Sequence, residues 1–223
     1  MQSGQHIVSL SLGTVAEPSA VVVIEPRTEF WRPKDQDRKR DWENHFDVIW
    51  LERFPAGSPI PAVVARVTEL VSGERLAKNC HLLLDLTSTG AAPLRVFESR
   101  GLYPQPIEIT NTGSEERSGG VERVPLRDVI GAAQVVLQTN RLKVASALEL
   151  ASTLVGDLQS FDPKPVARGF DLRGGRNSDI VLALAVALWW GDNLTWGDDG
   201  FDISPLRRRS GQRYSGKDSW MGA

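Results

Sequence analysis

The sequence lacks most of the residues from which disulfide frameworks and zinc sites are built. Its 223 residues include one cysteine, Cys80, and three scattered histidines, His6, His45 and His81. One cysteine cannot form a disulfide within the chain, and the histidines do not have the close spacing of zinc ligands. The sequence therefore gives no support for a disulfide-rich domain or a zinc module.

Long hydrophobic runs and an excess of one charge sign are also missing. The longest apolar run, at residues 180–190, is shorter than the ~20 residues that a transmembrane helix needs, and no signal-peptide pattern opens the chain. Lysine and arginine number 26 against 28 acidic residues, so we expect no global attraction to nucleic acid or membrane. We expect a cytoplasmic protein without a membrane partner, which would contact DNA only through a local basic patch.

Hydrophobic patterning predicts an α/β domain. Short runs rich in β-branched residues at 6–13, 20–25 and 46–54 are typical of antiparallel strands, and the charged segment 26–44 is expected to be a solvated loop. From residue 61 onward, helical and extended patterns alternate. Helices are predicted at 61–71, 93–99, 125–137, 145–158 and 178–190, strands at 82–86 and 106–110, a loop at 111–120 and a short extended piece at 142–144.

One of these strands ends in a carboxylate. Leu82, Leu83 and Leu84 lead directly into Asp85, and a turn of small residues follows. Open α/β sheets usually hold their chemistry at the carboxyl ends of strands, and an ionised Asp is rarely buried without a partner or a metal. An Asp that caps the next helix or closes an Asx turn is an equally good interpretation of this stretch.

The last predicted helix begins with a second carboxylate. Ser178 can cap this helix, and the positive end of the helix dipole favours Asp179 in its first turn. Residues 180–190 are apolar on nearly every side, so the helix is expected to pack inside the protein. The chain is predicted to divide into a domain at 1–190 and a poorly ordered tail, rich in Gly, Asp and Arg, at 191–223.

These motifs and their order resemble the C-terminal nuclease domain of bacteriophage terminase large subunits. The matching segments, spread over roughly residues 6–190, are 10–13 with 17–20, 51–55, 84–85 with Thr87 and Gly90, 124–128, and 179–185. The resemblance implies a ribonuclease H-like α/β fold. Its central mixed sheet would have about five strands, three antiparallel and then parallel ones, flanked by helices.

The resemblance also implies a two-metal nuclease site. In that family, carboxylates at the ends of two strands and at the start of the last helix hold Mg²⁺ or Mn²⁺, which prefer oxygen ligands, for phosphodiester hydrolysis. Asp85 and Asp179 match two of these positions. Ser11 and Ser178 stand where the family has further acids, and a hydroxyl supplies no negative charge. We therefore expect weak metal binding and little or no hydrolysis.

Double-stranded DNA is the partner that the resemblance implies, with a packaging ATPase and a portal on another chain. The candidate phosphate-binding side chains are Arg173 and Arg176, close to Asp179, together with Arg127 and Lys143. For each residue alone, a solvated charged surface is an equally good interpretation. Two hypotheses follow: a weak metal-dependent DNA endonuclease of phage or prophage origin, or a non-catalytic DNA-binding or packaging-interaction domain that keeps the fold.

Overall fold

The computed structural model describes residues 5–30, 42–77, 79–111, 113–161, 164–166, 169–171, 178–193, 195–197 and 200–202. The strands are β1 (His6–Ser11), β2 (Ser19–Phe30), β3 (Trp42–Phe54), β4 (Cys80–Asp85), β5 (Gln105–Thr110), β6 (Glu116–Ser118), β7 (Val121–Pro125), β8 (Leu142–Val144), β9 (Lys164–Val166), β10 (Gly169–Asp171), β11 (Thr195–Gly197) and β12 (Gly200–Asp202). The helices are α1 (Ile60–Ser72), α2 (Ala92–Glu98), α3 (Leu126–Gln138), α4 (Ala151–Ser160) and α5 (Ser178–Asp192). None of the helices in these ranges is long and apolar enough to cross a membrane.

A single mixed sheet of eight strands, in the order β6-β7-β5-β4-β1-β2-β3-β8, organises the fold. The first three strands pair antiparallel, and β4, β5 and β7 then extend the sheet from β1 in parallel. The predicted α/β class, with antiparallel strands first and parallel strands after them, is confirmed. The sheet has eight strands rather than about five because β7 with β6 at one edge and β8 at the other also join it. Two further pairs, β9 with β10 and β11 with β12, stand apart from it.

Two hydrophobic cores cover the two faces of the sheet. Side chains of α3, α4 and α5 pack against one face, and those of α1 and α2 pack against the other. Every residue of α5 from Ile180 to Trp190 is at most 8% exposed, which agrees with its apolar composition on all sides. Burying each large apolar side chain of this helix contributes about 1.5–3 kcal/mol, so α5 is a central stabilising element.

The hairpin of β2 and β3 extends into the segment 26–44, which was predicted to be a solvated loop. The two strands remain paired as far as Phe30 and Trp42. Cross-strand contacts hold this extension, because Arg27 pairs with Asp47 at 2.7 Å and the hydroxyl of Thr28 donates to Asn44 at 3.3 Å. The prediction was wrong at 26–30 and 42–44 because pairing across strands outweighs the local polar composition; residues 31–41 lie outside the described residues.

Three other boundaries differ from the predicted ones. The loop predicted at 111–120 contains β6, and the helix predicted from residue 145 begins at Ala151 because turns occupy the preceding residues. Helix α5 continues to Asp192, and the β11–β12 pair follows it within the segment that was predicted to be a tail. Residues 203–223 of that segment lie outside the described residues.

Candidate functional site

The carboxyl ends of β1 and β4 place Ser11 directly beside Asp85. The two residues are partners in the parallel ladder, and the Ser11 hydroxyl donates to Oδ2 of Asp85 at 3.3 Å. Both residues are buried, at 7% and 5% exposure. Neighbouring strands lie about 4.8 Å apart, so the fold brings together two of the four candidate acid positions, although 74 residues separate them in sequence.

Asp85 also closes the turn that follows β4. Its Oδ1 accepts hydrogen bonds from the backbone N–H of Thr87, at 2.9 Å, and from the Thr87 hydroxyl. This is an Asx turn, so Asp85 is a turn-closing residue, as one of its two interpretations from sequence predicts. Burial raises the pKa of Asp85, and the hydrogen bonds from Thr87 and Ser11 offset only part of that rise. Each carboxylate oxygen has about two acceptor sites, so Oδ2, which accepts only from Ser11 among the described residues, retains capacity for a cation.

The chain turns sharply after β1, at Gly13, and this turn holds Ser11 at the strand end. A Cβ on Gly13 would lie 2.2 Å from the carbonyl oxygens of both Glu17 and Pro18. The N–H of Gly13 donates to the hydroxyl of Ser19 at 2.9 Å, which ties the turn to the start of β2. Only glycine fits this close approach of two backbone segments.

Arg53 lies in the same row of the sheet as Ser11 and Asp85. Ser11 pairs with Ala20 of β2, and Ala20 pairs with Arg53 of β3. Residues directly opposite one another on paired strands project to the same face, and Ala20 belongs to the core under α5. The row therefore points toward α5, with the Cα of Arg53 about 10 Å from that of Ser11 and about 14 Å from that of Asp85, at 4.8 Å per strand.

Arg53 binds two buried carboxylates with two different nitrogens. Its Nε donates to Oδ2 of Asp179 at 2.8 Å, and one Nη donates to Oδ2 of Asp157 at 2.6 Å. The Asp157 and Asp179 side chains are each 6% exposed, and that of Arg53 is 21% exposed. Burial alone would lower the pKa of Arg53, but the hydrogen bonds and charges of the two acids raise it above its usual value. This arrangement joins β3 to α4 and to the first turn of α5.

The second oxygen of Asp179 has no such partner. Oδ1 is buried and accepts no hydrogen bond from the described part of the chain. The N–H groups of Asp179 and Ile180 lie near enough to lower the pKa of Asp179, but neither bonds Oδ1. Burial raises the pKa of this carboxyl, and the charge and hydrogen bond of Arg53 offset part of the rise. A buried carboxylate oxygen with free acceptor capacity is suited to a cation.

The basic candidates are distributed unevenly around this edge of the sheet. Arg127 is exposed in the first turn of α3, which follows the carboxyl end of β7, and it donates to the carbonyl of Gly113 at 2.7 Å. Lys143 of β8 pairs with Asp47, which precedes Arg53 by six residues on β3, or about 20 Å at ~3.3 Å per residue. Lys143 therefore lies at the far end of the sheet from Asp85.

Three of the predicted positions are not described in full. Arg173 and Arg176 lie outside the described residues, and Ser178 is the first residue of α5 but its side chain is not described. Sequence reasoning missed Asp157, for which local pattern offers no signal, because its contact with Arg53 spans 104 residues. In the sequence, Arg53 is visible only as part of the segment 51–55, which predicts no role for it.

The carboxylates present suit one divalent cation better than two. Asp85 and Asp179 would supply two negative charges, Ser11 supplies none, and Arg53 is neutralised by Asp157. Within the described ranges, no three or more His, Cys, Asp or Glu side chains form a group that could hold a metal. Two carboxylates carry the charge of one divalent ion, whose shell of oxygen ligands water would complete, but one of the two, Asp179, is also ion-paired with Arg53.

The sheet order and the helix placement define a ribonuclease H-like fold, and solved structures of the same fold confirm this. The large terminase nuclease of the thermophilic phage G20c shares 16% sequence identity, with a TM-score of 0.53 over 82% of this chain and 80% of that chain. The same nuclease with bound magnesium is also 16% identical, with a TM-score of 0.54 over 84% and 82%. A manganese-soaked terminase nuclease domain of human cytomegalovirus is 14% identical, with a TM-score of 0.49 over 84% and 83%.

No protein-family model and no curated protein matches the sequence. At the identities of the solved structures, the likeness is one of fold. The resemblance to terminase nuclease domains, which short sequence motifs indicate, is therefore confirmed at the level of the fold over more than four-fifths of the chain.

Proposed function

We propose that this chain is the nuclease-type domain of a phage or prophage terminase large subunit, acting on double-stranded DNA during packaging in the cytoplasm of a bacterial host. Its endonuclease activity would depend on Mg²⁺ or Mn²⁺ and would be weak. The observation that carries the proposal is the pairing of Ser11 with Asp85 at neighbouring strand ends, inside the fold of terminase nucleases.

Some residues of the site would bind the metal, and others would hold those ligands in position. A divalent cation bound there would activate water and stabilise the leaving oxygen of the phosphodiester. Asp85 would offer Oδ2 while Thr87 holds its Oδ1, and Asp179 would offer Oδ1 while Arg53 holds its Oδ2. Ser11 adds a hydroxyl, which supplies no negative charge, so Asp85 and Asp179 alone would give the site about half the charge that two divalent cations require.

A second function is favoured by a specific feature of the same residues. Asp85 closes a turn and Asp179 is ion-paired, so both acids make structural contacts without any metal. A domain with these contacts could bind DNA, or a packaging ATPase or portal on another chain, without cutting. The fold would persist after loss of hydrolysis, and the acids would be kept for structural reasons.

A plasmid-nicking assay with Mn²⁺ separates the two functions. We expect slow nicking of supercoiled plasmid by the parent protein, which a chelator and the substitution Asp179→Asn abolish. Asp47→Asn is the matched control, because it removes an acid of β3 that pairs with Arg27 at 2.7 Å and that lies six residues before Arg53 on the same strand, at the far end of the sheet from Asp85. Parent protein that never nicks DNA at any Mn²⁺ concentration would contradict the endonuclease function.

DNA binding is measured on the same proteins as a function of salt. Because Arg127 lies at the carboxyl edge of the sheet and Lys143 at the far end, Arg127→Ala should weaken binding and reduce the salt dependence by about one phosphate contact, whereas Lys143→Ala should not. Binding without nicking would favour the second function. A protein that neither binds nor nicks DNA would refute the endonuclease and the DNA-binding function, and would leave only an interaction with a packaging ATPase or portal.

A further inference from the structure

We propose that Arg53 and Asp157 are positioning residues for a cation site, which present Oδ1 of Asp179 as a ligand while leaving the negative charge of Asp179 available. The inference rests on the proposed function and deepens it, since it names two side chains, other than the proposed ligands Asp85 and Asp179, that set the affinity for the metal. Neither residue is expected to touch the metal or the DNA.

The first part of the argument is geometric. The guanidinium of Arg53 is a rigid planar fork, and its two occupied nitrogens bind carboxylates from two different helices, Asp157 of α4 and Asp179 of α5. With Oδ2 of Asp179 held at 2.8 Å, the carboxylate is fixed in one orientation, and its buried Oδ1 is left without a hydrogen bond from the described residues. Side chains that orient a metal ligand in this way commonly change metal affinity by about 10- to 100-fold when they are removed.

The second part of the argument concerns charge. An arginine paired only with Asp179 would cancel the charge of that ligand and repel a cation. Asp157 contributes a second buried carboxylate, 2.6 Å from the guanidinium. The three side chains together carry a net charge of −1, which is the charge of Asp179 alone. Asp157 thus allows Arg53 to orient the ligand without weakening its attraction for a metal.

The competing explanation is an ion-pair network that only joins β3, α4 and α5. Such a network affects the stability of the fold but has no reason to affect affinity for a metal. Affinity must therefore be measured separately from stability, and at constant net charge.

The test measures Mn²⁺ binding to the whole chain through the signal of free Mn²⁺ in electron paramagnetic resonance. The key variant is the double substitution Arg53→Met with Asp157→Asn, which removes one positive and one negative charge and so leaves the net charge at −1. Because it removes both partners, it avoids an unpaired buried charge at Asp157. Asp157→Asn alone changes the net charge to zero, and Asp179→Asn removes the ligand itself.

We expect the double variant to bind Mn²⁺ about tenfold more weakly than the parent, and Asp157→Asn to bind at least as weakly. The measurement is made at about pH 6.5 and about pH 8, above the ordinary range for a carboxyl group. A loss of affinity caused by protonation of Asp179 would decline at the higher pH, whereas a loss of positioning would be the same at both. Thermal unfolding in chelator shows that each variant is folded.

The outcomes distinguish failure of the positioning role from failure of the proposed metal-dependent function. A double variant that binds Mn²⁺ as tightly as the parent, while Asp179→Asn binds more weakly, would refute positioning and leave the proposed function standing. A parent that binds no more Mn²⁺ than Asp179→Asn would refute the metal function, and the positioning role with it. A tenfold loss that persists at both pH values would support both.

Discussion

Replacing Ser11 by Asp should make the protein less stable in chelator and more responsive to Mn²⁺. The substitution places a second carboxylate against Asp85, whose Oδ2 lies 3.3 Å from the Ser11 hydroxyl. Two unit charges about 4 Å apart repel by about 4 kcal/mol at an effective dielectric constant of ~20. Protonation of one carboxyl relieves part of this repulsion, so we expect the free energy of unfolding to fall by about 2–4 kcal/mol near neutral pH. For a chain of this length, that lowers the melting temperature by about 4–16 °C.

The pH dependence of the Ser11→Asp variant follows from the same repulsion. A neighbouring like charge raises the pKa of one carboxyl above its unfolded value, so the native state binds more protons than the unfolded state between those two values. Stability must then fall as the pH rises through that interval. The loss should be small below about pH 4 and complete above the raised pKa of the pair.

Thermal unfolding of Ser11→Asp and Ser11→Asn, with chelator and with Mn²⁺, tests this reasoning. Asn has nearly the same shape as Asp without the charge, so Ser11→Asn should change stability little in either condition. Mn²⁺ binds only the native state of a preformed site and should stabilise Ser11→Asp by mass action. The reasoning is refuted if the Asp and Asn variants melt together in chelator, or if Mn²⁺ raises both melting temperatures equally.

Two further predictions concern the turns on either side of this pair. Burial raises the pKa of Asp85, so in chelator the stability of the parent should fall as the pH rises above the ordinary carboxyl range. Asp85→Asn, whose side-chain oxygen still accepts from Thr87, should make the free energy of unfolding in urea depend less on pH between about pH 5 and pH 8. An unchanged pH dependence in this variant would contradict the prediction. Gly13→Ala should cost about 1–3 kcal/mol or more, since its Cβ would lie 2.2 Å from two carbonyl oxygens. Its control is Gly131→Ala in α3, where nothing lies within 4 Å of the added methyl group and about 0.5–1 kcal/mol of stabilisation is expected. Equal melting temperatures for the two variants would contradict the close approach at Gly13.

Much of the fold could be predicted because its signals are local. The β-branched runs of β1, β2 and β3 and the leucines before Asp85 mark strands by their own composition, and the apolar surface of α5 marks a buried helix. The extension of the β2–β3 hairpin could not be predicted in this way. Residues such as Arg27 and Thr28 are polar, and they form a strand because partners on β3 satisfy them.

The candidate site also has one part that could be predicted from the sequence and one part that could not. That Asp85 ends a strand is visible in sequence, and both interpretations of it, a turn-closing group and a candidate ligand, remain chemically compatible in the structure. The bonds of Arg53 to Asp157 and Asp179 span 104 and 126 residues. No periodicity or spacing rule connects residues so far apart, because their proximity is a product of the assembled layers.

The position of α5 in the chain has a consequence for how the protein is made. The sheet face that this helix covers is built largely from strands that are complete once residue 110 has been added, whereas the helix begins at Ser178. At about 5–20 residues per second, a ribosome needs roughly 3–14 s to synthesise the intervening segment. During that interval Ile7, Val22 and Leu83 lack the cover that α5 provides, so the nascent chain should be a substrate for holding chaperones until α5 emerges. The arrival of this helix would end the exposed period, and it would bring Asp179 to Arg53 in the same step.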